Sequence, residues 1–177
     1  MLTLANRLTI LRILMTPVIT VLLLYRQTGS ALALFLVAGI TDGLDGFVAR
    51  TRKQKTTLGM VLDPVADKLL LMSAVVTLTI LKELPRWFTI IVVSRDVLLI
   101  GGSVILYMFL GKIAMPPSWL GKTTTGFQLI TVLCAMLDNF LPDINLAILP
   151  LTVVTLALTV ASGLDYIYRG ARLLNDQ

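Results

Sequence analysis

Six long apolar stretches constrain the fold of this chain more than any other feature of its sequence. Of its 177 residues, 56% are hydrophobic and 14% are charged, whereas about a quarter of the residues in a soluble domain are charged. An apolar run of about 18 residues or more can cross a bilayer core of roughly 30 Å as a helix. The six runs cover about 8–25, 31–49, 58–81, 87–110, 122–140 and 144–168. The sequence therefore predicts an all-α polytopic membrane protein, with residues 1–177 forming one six-helix bundle.

The residues before the first predicted span leave two interpretations open. In LTLANRLTILRILMTP, Leu4, Leu8 and Leu11 share one helical face, Arg12 lies on another, and Pro17 interrupts the pattern. A short N-terminal interfacial helix that bends into the first span at Pro17 fits this pattern. The stretch is equally interpretable as the plain start of that span.

The distribution of lysine and arginine predicts the orientation in the membrane. With the N-terminus in the cytoplasm, the basic residues on the cytoplasmic side are Arg7, Arg12, Arg50, Arg52, Lys53, Lys55, Lys112, Lys122, Arg169 and Arg172. The opposite side receives Arg26, Lys82 and Arg86. Both termini are therefore expected on the cytoplasmic side of a membrane, which we take to be a bacterial inner membrane. This loop bias and attraction to anionic lipid account for the positive charge without a nucleic-acid partner.

Four aspartates interrupt the apolar pattern between residues 41 and 67. Asp42 and Asp45 are three residues apart and share a helical face, as do Asp63 and Asp67, which are four apart. A short loop separates the two pairs, so we expect antiparallel neighbouring helices on which the carboxylates converge at the cytoplasmic end. Four close carboxylates repel one another unless cations lie between them.

The type of cation follows from the available ligands. Hard cations such as Mg²⁺ and Mn²⁺ prefer carboxylate oxygen, and the chain contains no histidine. Small residues, Gly46, Ala49 and Gly59, would leave space for a flat ligand group, and the fork-shaped guanidinium of Arg50 could bind a diphosphate. The alternative is that the acids form salt bridges with basic side chains, for which the candidates are Arg50, Lys68 and Arg95.

The stretch Asp42–Gly–Leu–Asp45–Gly46–Phe–Val–Ala49–Arg50, followed after eight residues by Gly59, Asp63 and Asp67, resembles a known signature. It matches the D-x-x-D-G-x-x-A-R-x8-G-x-x-x-D-x-x-x-D pattern of the CDP-alcohol phosphatidyltransferases at every defining position. The resemblance implies that the aspartates ligate Mg²⁺ or Mn²⁺, as a pair of ions, with Asp67 also acting as the general base. It further implies that Gly46, Ala49, Arg50 and Gly59 bind the cytidine diphosphate of CDP-diacylglycerol.

The acceptor must be inferred from residues outside this signature. Arg95 and Lys122 are placed to bind an anionic acceptor, although Arg95 beside Asp96 also fits a satisfied ion pair. The stretches Asn6–Arg12 and Gly121–Gln128 resemble the branch that contains phosphatidylglycerophosphate synthases and CDP-dependent cardiolipin synthases. We favour glycerol 3-phosphate as acceptor, with phosphatidylglycerol as the alternative. The apolar residues after Arg95–Asp96 depart from the usual phosphatidylglycerophosphate synthase pattern and look more like a cardiolipin synthase.

Functions of another class are less consistent with the sequence. A small transporter usually has repeated broken spans near mid-membrane, and a non-catalytic membrane protein does not need four clustered carboxylates. Metal-dependent release of CMP would discriminate the enzyme from both. The family often forms homodimers, and the region Gly101–Ser103 is a candidate contact, although packing within the bundle explains it as well.

Overall fold

The computed structural model describes residues 4–52, 57–110, 118–141 and 144–175 of the chain. Side chains are described for 8–41, 65–102, 118–141 and 144–172, and for Met108. The described ranges contain six α-helices and no strand, which confirms the all-α prediction. The helices are α1 (Leu4–Leu24), α2 (Thr28–Arg52), α3 (Thr57–Ile80), α4 (Arg86–Leu110), α5 (Trp119–Leu137) and α6 (Asn145–Asn175).

The first three helices form a compact unit, Met1–Glu83, in which α1 packs against both α2 and α3. Its core combines larger side chains such as Phe35 and Leu23 with the fully buried alanines Ala31, Ala66 and Ala74. Small residues let helix backbones approach closely where lipid offers no hydrophobic driving force. The helix α1 is therefore the element that joins the two helices carrying the aspartate motif.

Helix α1 runs from Leu4 to Leu24 with Pro17 inside it, so the described residues before the proline and the first span belong to one helix. Proline removes one backbone donor from a helix but does not end it when tertiary packing holds both sides. Here Arg12 before the proline and Ile19 and Leu23 after it are all buried within the unit. Both interpretations of the N-terminal stretch place a helix here, and the choice between them stays a prediction.

Helices α1 and α3 end in the same kind of turn. Arg26 and Lys82 have φ angles of 60° and 68°, and the next amides, of Gln27 and Glu83, donate to carbonyls five residues back at 2.9 Å. This is the Schellman arrangement that terminates many helices. The Arg26 guanidinium also lies 3.6 Å from the Glu83 carboxylate, which links the two turns.

The second compact unit, Leu84–Gln177, contains α4, α5 and α6, with α6 packed against both others. The contact between α5 and α6 is a polar seam of fully buried side chains. Thr131 and Thr155 share a hydrogen bond of 2.9 Å, and Thr124 donates to the Leu158 carbonyl at 3.1 Å. The seam consists of Thr124, Gln128, Thr131, Thr155 and Thr159. Its contacts set the axial register between the two helices.

Much of the described surface is apolar, and several polar side chains are buried together with the apolar core. Leu14, Ile40, Ile90, Leu146 and Leu164 are all more than half exposed, whereas the buried residues include threonines, arginines and an aspartate. Soluble monomers rarely expose apolar surface on this scale. Within the described residues, α5 and the Asn145–Arg172 part of α6 are long and apolar enough to cross a membrane.

Candidate functional site

Helices α2 and α3 carry all the residues of the aspartate motif. Asp42, Asp45, Gly46, Ala49 and Arg50 lie on the C-terminal half of α2. Gly59, Asp63 and Asp67 lie on the N-terminal half of α3. The helical backbone confirms that each aspartate pair has the spacing of one helical face. The side chains of residues 42–64 lie outside the described part of the structure, so their convergence stays a prediction.

Asp67 is the motif residue whose side chain is described, and it is bound by an arginine from another helix. The Nη1 group of Arg12 donates to Asp67 Oδ1, which joins α1 to α3. The Arg12 side chain is 2% exposed and the Asp67 side chain is 45% exposed. A buried guanidinium thus contacts the proposed base on one side, while the carboxylate remains accessible on another.

This role of Arg12 was not anticipated from the sequence. The charge pattern assigns Arg12 to the cytoplasmic basic residues, whereas the structure buries it against α3. The presence of an arginine within a strongly apolar helix was the available signal. A charge inside an apolar helix normally faces a partner, and the partner is Asp67.

Arg95 lies in a second buried polar cluster, in the unit formed by α4, α5 and α6. Its Nη1 donates to Asp96 Oδ1 at 2.8 Å and its Nη2 donates to Ser162 Oγ at 2.6 Å. Arg95 is 5% exposed and Asp96 is fully buried. This arrangement fits the ion-pair interpretation of Arg95, and its acceptor-binding role stays a prediction.

Ser162 and Gly121 belong to this cluster and were not anticipated from the sequence. A Cβ atom on Gly121 would lie 3.4 Å from Arg95 Nη2 and 3.3 Å from Ser118 Oγ, so glycine leaves room for the guanidinium. Ser118 caps α5 by accepting a 3.0 Å hydrogen bond from the Gly121 amide. No sequence spacing relates residues on three different helices, so only the tertiary contacts identify the cluster.

Lys122 follows Gly121 in the first turn of α5 and is exposed. Its ammonium lies 5.3 Å from the centroid of the Trp119 ring, which is itself 83% exposed. Such a cation–π contact at an exposed site is weak, so Lys122 can leave the ring for an anionic ligand at little cost. Lys122 and Arg95 therefore flank the same end of α5, one exposed and one buried.

The aspartate motif has the chemistry of a divalent-cation site. Carboxylate oxygens at i, i+3 and i, i+4 helical spacing suit hard cations, and the chain has no histidine to favour a softer metal. Among the described side chains there is no group of three or more metal-ligating residues, because those of Asp42, Asp45 and Asp63 lie outside them. The donor types fit Mg²⁺ or Mn²⁺.

Comparison with known proteins gives consistent matches over nearly the whole chain. A family model described as CDP-alcohol phosphatidyltransferase matches residues 2–162. The chain is 34% identical over 175 residues to the probable phosphatidylglycerophosphate synthase of Mycobacterium tuberculosis (strain ATCC 25618 / H37Rv), covering 96% of this chain and 82% of that protein.

Two further relatives carry different enzyme names. The CDP-diacylglycerol–glycerol-3-phosphate 3-phosphatidyltransferase of Aquifex aeolicus is 32% identical over 174 residues, covering 96% of both chains. The CMP-forming cardiolipin synthase of Rattus norvegicus is 34% identical over 191 residues, covering 96% of this chain and 62% of that protein. The matches thus include both kinds of enzyme considered from the sequence.

Proposed function

Because this chain belongs to the CDP-alcohol phosphatidyltransferase family, we propose that it transfers a phosphatidyl group from CDP-diacylglycerol to glycerol 3-phosphate. The products are phosphatidylglycerophosphate and CMP, which places the enzyme in phospholipid biosynthesis. The observation that carries this choice of acceptor is the full-length match to the Aquifex relative, which covers 96% of both chains.

In the proposed reaction, the acceptor hydroxyl oxygen attacks the phosphorus atom that bears the diacylglycerol. A new phosphorus–oxygen bond forms, the bond to the bridging oxygen of the diphosphate breaks, and CMP leaves with that electron pair. We assign the proton of the attacking hydroxyl to Asp67, because Asp67 is the last aspartate of the family motif and its side chain is 45% exposed. No covalent enzyme intermediate is required.

The remaining motif residues would bind the donor. Asp42, Asp45 and Asp63, with Asp67, would hold Mg²⁺ or Mn²⁺, which supplies positive charge to the diphosphate when bound. Gly46, Ala49 and Gly59 would accommodate the cytidine, and Arg50 would hold the diphosphate through its guanidinium. Arg95 and Lys122 would bind the phosphate of the acceptor.

A cardiolipin synthase is the second candidate, and one feature of α4 favours it. After Arg95–Asp96 the helix continues with Val97, Leu98, Leu99 and Ile100, which suits an acceptor that carries acyl chains. The rat cardiolipin synthase extends well beyond this chain, however, which covers 62% of it. The match to the Aquifex relative, which covers 96% of both chains, supports glycerol 3-phosphate.

We further propose that all six helices span a bacterial inner membrane as one domain, with both termini and the motif at the cytoplasmic side. The exposed apolar side chains on α1, α2 and α4 support spans beyond α5 and α6. The diacylglycerol tails of the donor would then remain in lipid while its head group reaches the aspartates. A homodimer is the proposed assembly.

The test is CMP release by the purified protein in detergent with CDP-diacylglycerol and Mn²⁺ or Mg²⁺. Glycerol 3-phosphate and phosphatidylglycerol are offered separately, and Asp67→Asn is compared with wild type. We expect metal-dependent CMP with glycerol 3-phosphate and loss of about 100-fold or more in Asp67→Asn.

Each other outcome removes one part of the proposal. CMP formed with phosphatidylglycerol alone would make the enzyme a cardiolipin synthase. No metal-dependent CMP with either acceptor would refute the acceptor assignment and leave a transporter or non-catalytic protein to consider. Full activity of Asp67→Asn would exclude Asp67 as the base.

A further inference from the structure

We propose that Arg12 is a positioning residue that holds Asp67 as the proton acceptor and opposes its capture by the metal. The proposal rests on the proposed function for the role of Asp67. It assigns a task in the reaction to a residue on α1, outside the aspartate motif. The carrying observation is the contact between the Arg12 guanidinium and Asp67 Oδ1.

The two side chains of this contact differ in burial, which restricts where the guanidinium can move. Arg12 is 2% exposed while Asp67 is 45% exposed. The Arg12 guanidinium therefore cannot move toward solvent together with the Asp67 carboxylate unless it leaves the core of its unit. The Thr16 hydroxyl, which donates to the Arg12 carbonyl at 3.0 Å, and the packing of α1 against α3 fix the backbone from which the guanidinium extends. The arginine therefore holds one carboxylate oxygen in a defined position.

The same contact sets Asp67 apart from an ordinary metal ligand. A guanidinium N–H and a divalent cation compete for the negative charge of one carboxylate, and the arginine charge repels a nearby cation. Asp67 consequently shares its charge with Arg12 and contributes less to metal binding than a carboxylate without such a partner. Reduced donation to metal keeps the carboxylate available for the proton of the acceptor.

The matched test compares Arg12→Gln with Arg26→Gln. Arg26 is in the same unit and pairs with Glu83 at 3.6 Å, but it is 67% exposed and lies in the turn that follows α1. Mn²⁺ affinity is measured by electron paramagnetic resonance without substrates, and kcat and KM are measured by CMP release. Thermal melting in detergent reports the folded fraction of each variant.

We expect Arg12→Gln to bind Mn²⁺ roughly fivefold more tightly, because a repelling charge and a competing donor are removed. We expect kcat to fall roughly 10- to 100-fold with KM within about twofold, because the base loses its position. Arg12→Lys, which keeps the charge but not the fork, should lie between wild type and Arg12→Gln in both quantities. Arg26→Gln should match wild type in Mn²⁺ affinity, kcat, KM and thermal melting.

A residue that only stabilises the fold would behave differently. Its loss would weaken Mn²⁺ binding and lower kcat together, in proportion to the folded fraction. That result would overturn the proposal, and so would an unchanged kcat in Arg12→Gln. If Arg12→Gln does not fold, unchanged or weaker Mn²⁺ binding by Arg12→Lys overturns it equally. In a variant that already carries Asp67→Asn, adding Arg12→Gln should lower kcat no further. If wild type releases no CMP, the proposed function fails. The proposed competition between Arg12 and the metal for Asp67 is tested separately, because unchanged or weaker Mn²⁺ binding by the Arg12 variants overturns it.

Discussion

The buried pair formed by Arg95 and Asp96 allows a quantitative prediction about stability. Arg95 is 5% exposed, Asp96 is fully buried, and their charged atoms are 2.8 Å apart. At that separation, with an effective dielectric constant of about 20, two unit charges attract by roughly 6 kcal/mol. Asp96→Asn removes this attraction with almost no change of volume, so no cavity contributes to the result.

The net loss is smaller than the attraction because a neutral amide is easier to bury than a carboxylate. Breaking a buried ion pair by removing one partner costs about 3–5 kcal/mol. Since the amide oxygen introduced by this substitution would still accept the Arg95 hydrogen bond, we expect the lower end, about 3 kcal/mol. For a chain of this length that corresponds to a fall of roughly 6–12 °C in Tm.

The control is Asp165→Asn, which breaks a pair of nearly the same geometry on α6. Arg169 Nε lies 2.9 Å from Asp165 Oδ1, but Arg169 is half exposed, so screening should limit the loss to about 0.5 kcal/mol. Unfolding would be followed by the fluorescence of Trp87 and Trp119, both in the unit that contains these pairs, during titration with SDS in mixed micelles. Equal losses within about 0.5 kcal/mol would refute burial as the cause.

Three further predictions concern packing, polarity and metal. Gly102→Ala should lower the free energy of unfolding by about 1–3 kcal/mol, because its Cβ would lie 2.8 Å from the Tyr166 ring; Gly101→Ala, with nothing within 4 Å, should be neutral or stabilising in the same SDS titration. Gln128→Leu should leave the unfolding midpoint unchanged or higher. Gln128 Oε1 is buried without a partner among the described residues, and the hydrogen bond from Gln128 Nε2 to Thr159 Oγ1 is long, at 3.4 Å. A clear loss of stability would contradict this prediction. Chelation by EDTA should abolish CMP release and added Mn²⁺ should restore it, whereas full activity in EDTA would exclude the metal role of the aspartates.

The aspartate motif could be predicted from the sequence because its information is local. Asp42 and Asp45 are related by one helical turn, as are Asp63 and Asp67, and helical spacing needs only a correct helix assignment. The apolar runs supplied that assignment, and the six helices begin and end close to where the runs do. The stretch before Pro17 forms the first part of α1, and its interfacial position stays a prediction.

The contacts of the candidate site could not be predicted in this way. Arg12 and Asp67 are 55 residues apart, and Arg95 and Ser162 are 67 apart. The local sequence around an arginine is the same whether its side chain faces lipid head groups or a carboxylate on another helix. The choice depends on which faces of α1 and α3, or of α4 and α6, are packed together.

The sequence by itself determined the helical architecture, the family and the positions of the acids, since these follow from hydropathy and from spacing along one helix. Only the tertiary structure decided which cation meets which acid. It buries Arg12 against Asp67 and encloses Arg95 between Asp96 and Ser162. The physical reason is that a charge in an apolar interior must find a partner, and helix packing determines which partner lies within reach.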